Sequence, residues 1–190
     1  MKSKSGFTIV ELLIVIVVIA ILAAITIVAF NGVQNRAKNT QTVQAVTQWA
    51  RILKMYRVEN DGYPTQTSCL GTGYGRGLSG TDATGGQCRQ DTSTGGGIDE
   101  NTTFEASLAK YVPNGIGPTP AFVTVNDASG YPYYRGAYFY PYYVSGGTVS
   151  PARIDFALVG TTTCPNIAGL DMAGPQTWPN GIKCSARFTE

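Results

Sequence analysis

Few residues of this chain are of types that carry chemistry, and those few stand apart from one another. Its 190 residues include no histidine, so the side chain most often used as a general base is absent. No serine or cysteine lies in a recognisable nucleophile motif. Apart from carboxylates scattered through the later part of the chain, what remains is Glu11 and four cysteines, Cys69, Cys88, Cys164 and Cys184. Glu11 heads an apolar run from Leu12 to Phe30, 19 residues in which Thr26 has the only polar side chain. An ionised carboxylate at the edge of such a run is costly unless paired, so Glu11 asks for a partner. The cysteines form no C-x-x-C and do not cluster, which argues for two disulfides in an oxidising compartment rather than a metal site. Three pairings are open, and the sequential one, Cys69–Cys88 with Cys164–Cys184, is favoured. Catalysis is not expected, and neither a cofactor nor a metal is implied. Asn166, Asp171 and Asn180 offer oxygens to Ca²⁺ in principle, but at no recognisable ligand spacing.

The elements that must position these residues begin with the run itself. Nineteen residues of helix measure roughly 28 Å, close to the hydrocarbon thickness of a bilayer. That is longer than the apolar region of a secretory signal, about 7–15 residues. Lys2 and Lys4 precede it, which predicts a cytoplasmic N-terminus and a translocated C-terminal region holding all four cysteines. The helical pattern continues past Phe30. No proline occurs before Pro64, and Gly32 is the only glycine between Gly6 and Gly62. Val43, Val46, Trp49, Ala50, Leu53 and Tyr56 recur at three- and four-residue steps, an apolar stripe that needs a sheet laid over it. Read as one element, residues 7–60 span on the order of 80 Å, with 7–30 transmembrane or buried among other helices and 31–60 amphipathic. Asn60-Asp61-Gly62 with Pro64 beyond is a stop signal, with Gly62 expected to take the left-handed turn.

Residues 61–190 read as a globular head. Glycine is abundant (23) and charge sparse (14%), which suits a loop-rich extracellular β structure. Thr65–Asn101 reads as a surface loop held by one disulfide. Its Gly75-Arg76-Gly77-Leu78-Ser79-Gly80 is a formal G-x-G-x-x-G without the strand and helix that a dinucleotide site needs. Thr102-Thr103-Phe104-Glu105 fits a capping box with Thr102 as the cap, opening a short helix stripe of Phe104, Leu108 and Tyr111. Strands are expected at Ala121–Val125, Ala137–Val144, Arg153–Val159 and Lys183–Phe188, with a bulge or edge at Pro141. The interval from Cys164 to Cys184 reads as a long disulfide-closed loop. Seven of the eleven tyrosines fall within residues 131–143. Their expected role is packing on Trp49, Tyr56 and neighbouring subunits, with a stacking surface for glycans or single-stranded nucleic acid as the alternative. The fold class is therefore α+β, a long N-terminal helix packed on an antiparallel sheet.

Charge is distributed unevenly. Asn31 to Asn60 carries five basic residues against Glu59 alone, whereas Asp61 to Glu190 carries seven basic and ten acidic. A basic stem and an acidic head attract one another between subunits.

The run Gly6-Phe7-Thr8-Ile9-Val10-Glu11-Leu12-Leu13-Ile14-Val15-Ile16 resembles the class III signal of type IV prepilins and pseudopilins. Tyr56 to Thr65 and Leu108 to Pro113 also resemble the helix-to-loop junction and loop-region helix of that family. The resemblance implies a leader of residues 1–6 and cleavage between Gly6 and Phe7 by a prepilin peptidase. Phe7 is then N-methylated, and its amine meets Glu11 of an adjacent subunit. It further implies a single-pass cytoplasmic-membrane precursor, polymerisation with other subunits through the inner-membrane assembly machinery, and an extracellular pilus serving motility, adhesion or DNA uptake. Losing Lys2 and Lys4 with the leader leaves twelve of the 14 basic side chains against 12 acidic. One departure concerns the membrane helix, where many pilins have a glycine and a proline; here Ala20 and Val28 stand at those positions, so a continuous helix is expected. The alternatives are a type II secretion pseudopilin and a membrane-anchored extracellular enzyme or glycan-binding module. The two disulfides favour the pilin.

Overall fold

The computed structural model describes residues 8–74, 87–91, 96–112, 117–126, 128, 132–145 and 148–189. The Gly6–Phe7 junction, Tyr131, Pro113 and the formal G-x-G-x-x-G all lie outside the described residues. The chain divides into two compact units, residues 1–36 and 37–190, and helix α1 (Ile9–Asn60) contributes to both. It runs without a break through residues 20 and 28.

In the first unit, every large apolar side chain described from Ile9 to Val33 is exposed. No polar side chain competes for the backbone over this stretch except Thr26, whose hydroxyl donates to Ala23 O at 2.9 Å. With no Gly or Pro before Gly32, nothing breaks the hydrogen-bond ladder.

In the second unit, α1 continues as an amphipathic helix. Thr42, Val46, Trp49, Ala50 and Leu53 are buried at three- and four-residue steps, the stripe expected from the sequence. They meet one face of a five-stranded antiparallel sheet of order β1-β6-β9-β11-β10. Its strands are β1 (Ser68–Cys69), β6 (Ala137–Tyr140), β9 (Arg153–Val159), β10 (Asp171–Trp178) and β11 (Gly181–Arg187). Ile154, Phe156 and Leu158 of β9, Ala137 and Phe139 of β6, and Ile182, Cys184 and Ala186 of β11 share the core with α1. Alternate residues of those strands necessarily point the other way.

There a second layer covers them. It is a four-stranded sheet, β3-β2-β5-β4, built from β2 (Arg89–Asp91), β3 (Gly96–Ile98), β4 (Thr124–Asn126) and β5 (Pro132–Arg135). Tyr138 and Ala157 join Cys88, Ile98, Val125 and Tyr134 in a separate core. A two-stranded hairpin, β7 (Tyr143–Ser145) with β8 (Thr148–Ser150), completes the β structure. The remaining element is α2 (Thr102–Leu108), whose Phe104 and Leu108 are buried on the α1 side. Disulfides join Cys69 to Cys88 and Cys164 to Cys184, the sequential pairing. The first runs from β1 in one sheet to the residue preceding β2 in the other.

Several expectations need correction. Among the described residues, Tyr134 and Tyr138 of the tyrosine-rich segment do not lie on Trp49 and Tyr56. Trp49 faces Phe104 at 6.2 Å and Tyr56 faces Tyr111 at 5.8 Å, whereas Tyr134 and Tyr138 stack at 6.2 Å between the sheets. The alternation within the strand sends Phe139 to the helix side and Tyr138 away from it. The left-handed residue after α1 is Asp61 (φ 55°), not Gly62; Asp is among the non-glycine residues that adopt this conformation most readily. The cap of α2 is Asn101, not Thr102. Asn101 Oδ1 accepts from the N–H groups of Thr103 and Phe104, both at 3.0 Å, and its own N–H donates to Ser68 Oγ. Ser68 thus fills the place that Glu105 was expected to take. The Cys164–Cys184 interval is not all loop, since β10, eight residues long, runs through it as an edge strand. Its register breaks between Ala173 and Gln176, where Gly174 has φ 107° and Pro175 needs no ladder donor. Pro141 divides the expected Ala137–Val144 strand into β6 and β7, and the expected Ala121–Val125 strand is displaced to β4.

Candidate assembly site

Thr8 and Glu11 open α1 as a reciprocal capping box. Glu11 N–H donates to Thr8 Oγ1 at 3.3 Å, while Thr8 N–H and Oγ1–H both donate to Glu11 Oε2, at 2.8 and 2.7 Å. Leu12 N–H donates to Thr8 O at 3.3 Å, closing the first turn. Two donors at a helix N-terminus, reinforced by the positive end of the helix dipole, are what a carboxylate in this setting needs. The T-x-x-E pattern at Thr8-Ile9-Val10-Glu11 signals this cap, so Glu11 has a partner within its own chain besides the one expected outside it. Only Oε2 is engaged. Among the described residues Oε1 has no partner and stays available to a further donor. The arrangement can hold a carboxylate ready at the head of an apolar helix and present one oxygen to a cation.

Beyond Glu11 the helix is long and apolar enough to cross a membrane. Its exposed Leu, Ile and Val side chains have nothing to bury against within their own unit. Among the described residues no group of three His, Cys, Asp or Glu side chains converges on a metal site. Asn180, considered above as an oxygen donor, is engaged otherwise. Its Oδ1 accepts from Asn126 N and its Nδ2 donates to Thr124 O.

Polar side chains on the second part of α1 fix the loops that cross it. Asn39 Nδ2 donates to Val159 O at 2.8 Å and its Oδ1 accepts from Val159 N at 3.1 Å. Ala121 N–H donates to the buried Thr42 hydroxyl, and Trp49 Nε1 to Pro118 O. At the end of α1, Glu59 accepts from Lys110 Nζ and from the Tyr111 hydroxyl. The Lys110 ammonium and Tyr111 hydroxyl hold the Glu59 carboxyl below its ordinary range.

Comparison with known proteins agrees with this geometry. Residues 1–27 match the family described as the prokaryotic N-terminal methylation motif. The chain is 36% identical over 70 residues to the type IV wide pilus major component PilA4 of Thermus thermophilus, covering 37% of this chain and 53% of that protein. It is 33% identical over 64 residues to the type II secretion system core protein G of Aeromonas hydrophila, covering 34% and 45%. The corresponding protein of Escherichia coli is 33% identical over 67 residues, covering 35% and 46%. The chain thus spans about half the length of the curated relatives it matches. No solved structure matches it. Residues 1–27 carry the methylation motif, and the chain is homologous to a type IV pilin and to type II secretion core protein G. The helix followed by antiparallel sheet is consistent with the pilin fold. The apolar helix and this homology fit a membrane-anchored precursor and an extracellular pilus.

Proposed function

We propose that this chain is the structural subunit of an extracellular type IV pilus. Prepilin peptidase removes residues 1–6 at Gly6–Phe7, and the Phe7 amine is methylated. The inner-membrane assembly machinery then draws the apolar helix out of the lipid and into a shared helical core with other copies. The chain serves as building material and catalyses nothing. The observation that carries this reading is the methylation motif over residues 1–27 joined to a capped Glu11 whose Oε1 is unengaged. In a low-dielectric core a buried carboxylate lacking a cation costs several kcal/mol. Only the register that brings the cationic Phe7 amine of a neighbour to Glu11 avoids that cost. Glu11 therefore sets alignment during polymerisation.

The test has two arms. Mass spectrometry of sheared surface filaments should give a chain starting at methylated Phe7; an N-terminus at Met1 overturns the processing step. Glu11→Ala should leave membrane insertion and leader removal intact and abolish filaments. Abundant normal filaments from that variant refute the alignment role.

The similarity to type II secretion core protein G supports a second reading, the same subunit working in a secretion apparatus. The two disulfides favour the pilus. Deletion of the gene separates the readings: loss of surface fibres with unimpaired protein secretion supports the first, and the reverse supports the second.

A further inference from the structure

A cleft of about 300 Å³ opens where α1 ends, within the second unit. Pro64, Pro141 and Pro151 stiffen its lining, which also holds Tyr63, whose ring centre lies 4.6 Å from that of Phe188 and 5.3 Å from the Arg57 guanidinium. Besides the hydroxyl-bearing Tyr63 and Thr65, three polar side chains line this space. They are Arg57, Asp61 and Tyr142. Among the described residues none of the three has a hydrogen-bond or ion-pair partner, although Arg57 and Asp61 line the same cleft. A second recess of about 470 Å³ shares Arg57, Asp61 and Tyr63 with the first and adds Lys54, whose ammonium donates to Gly169 O at 2.7 Å.

We infer that this cleft is a binding site for a neutral oligosaccharide, which goes beyond the filament role. The argument is one of complementarity. Arg57 can only donate hydrogen bonds and the Asp61 carboxylate can only accept them. An anionic ligand satisfies Arg57 and is repelled by Asp61, and a cationic ligand meets the reverse. A sugar hydroxyl donates and accepts at once, so adjacent hydroxyls on one ring serve both groups without adding charge. Tyr142 is 48% exposed and has no ring partner among the described residues. Its face is available to the apolar side of a pyranose while its hydroxyl bonds the rim, the dual use to which tyrosine is suited. The two recesses meeting at Arg57 and Asp61 give consecutive places for linked sugars. A concave, mainly apolar site with few convergent polar groups is the general form of a small-ligand pocket. A proline-rich peptide would find rings here but no use for both charges.

The experiment uses the full chain, solubilised in detergent and titrated with maltohexaose, cellohexaose and chitohexaose as neutral probes. A hyaluronan hexamer serves as the anionic probe and a decaproline peptide as the peptide probe. At least one neutral probe should bind, with Tyr142→Ala and Asp61→Gly each weakening it by about tenfold or more. Glycine accepts the left-handed backbone at residue 61, so Asp61→Gly keeps the fold even if Tyr142→Ala does not, and Arg57→Gln provides a second such variant. Binding of none of the three sugars overturns the inference. So does preferential binding of hyaluronan or decaproline, or a sugar affinity that Asp61→Gly and Arg57→Gln leave unchanged.

Discussion

Residues 12–30 and residues 42–56 lie on one helix and have opposite needs. The earlier stretch is apolar on all sides, and its leucines, isoleucines and valines find no burial within their own unit. The later stretch is apolar along one stripe, and Val46 and Leu53 are wholly buried against β9, β6 and β11. A helix apolar all round requires a surrounding of lipid or other helices, whereas a striped one is satisfied by a single sheet. The difference leaves the first stretch in need of surroundings that its own unit does not supply, and places the head's folding stability in the second. Residues 37–60 of the helix belong to the same compact unit as the sheets.

This comparison is open to direct attack. Leu53→Ala should destabilise the head by about 2–5 kcal/mol, because a fully buried leucine is removed from a packed core. Leu22→Ala should leave the unfolding midpoint of the detergent-solubilised chain unchanged. Equal effects from the two would end the distinction. Cys164→Ser with Cys184→Ala removes the bridge that closes the β10 region, and should cost about 3 kcal/mol in chemical denaturation; a loss well under 1 kcal/mol would mean the bridge constrains little.

Alkaline titration probes the layer away from α1. Burial pushes the Tyr74 hydroxyl up to about 12, and burial with the nearby Asp155 carboxylate raises Tyr138 well above its ordinary value. The folded chain then holds these protons while the unfolded chain releases them near pH 10, so stability present below pH 10 is lost as pH rises through about 12. Tyr74→Phe should flatten that fall, as followed by circular dichroism; an unchanged pH profile would remove Tyr74 as its source. The smallest effect concerns the cap of α2. Asn101→Ala should cost about 1 kcal/mol and Thr102→Ala close to nothing. The opposite ranking would restore the capping box expected from the sequence.

What was legible follows from periodicity. The stripe Val46-Trp49-Leu53 and strand β9 were readable because each repeats a strong pattern, 3.6 or 2 residues, over most of the element. Strand β10 was hidden by Gly174 and Pro175, which read as loop but are tolerated at an edge. The second sheet escaped notice because β2, β3, β4 and β5 are three or four residues long, too short to show alternation. That omission misplaced the tyrosines, for alternation put Phe139 and Tyr138 on opposite faces without telling what covers either. Asn101 and Thr102 are both good caps one residue apart, and the choice rests on Ser68, which is distant in sequence. The Thr8–Glu11 box was present as T-x-x-E and was overlooked because a carboxylate beside an apolar run drew attention outward.

Asn39 has a consequence beyond holding a loop. Strand β6 pairs with β9 only from Ala137, opposite Phe156, so it does not reach as far as Val159. The Asn39 amide supplies both the donor and the acceptor that a longer β6 would have offered to Val159. A side chain here impersonates a strand residue, and the ladder ends without an open rung. An open rung there would be a ready place to add a foreign strand, and the Asn39 amide closes it.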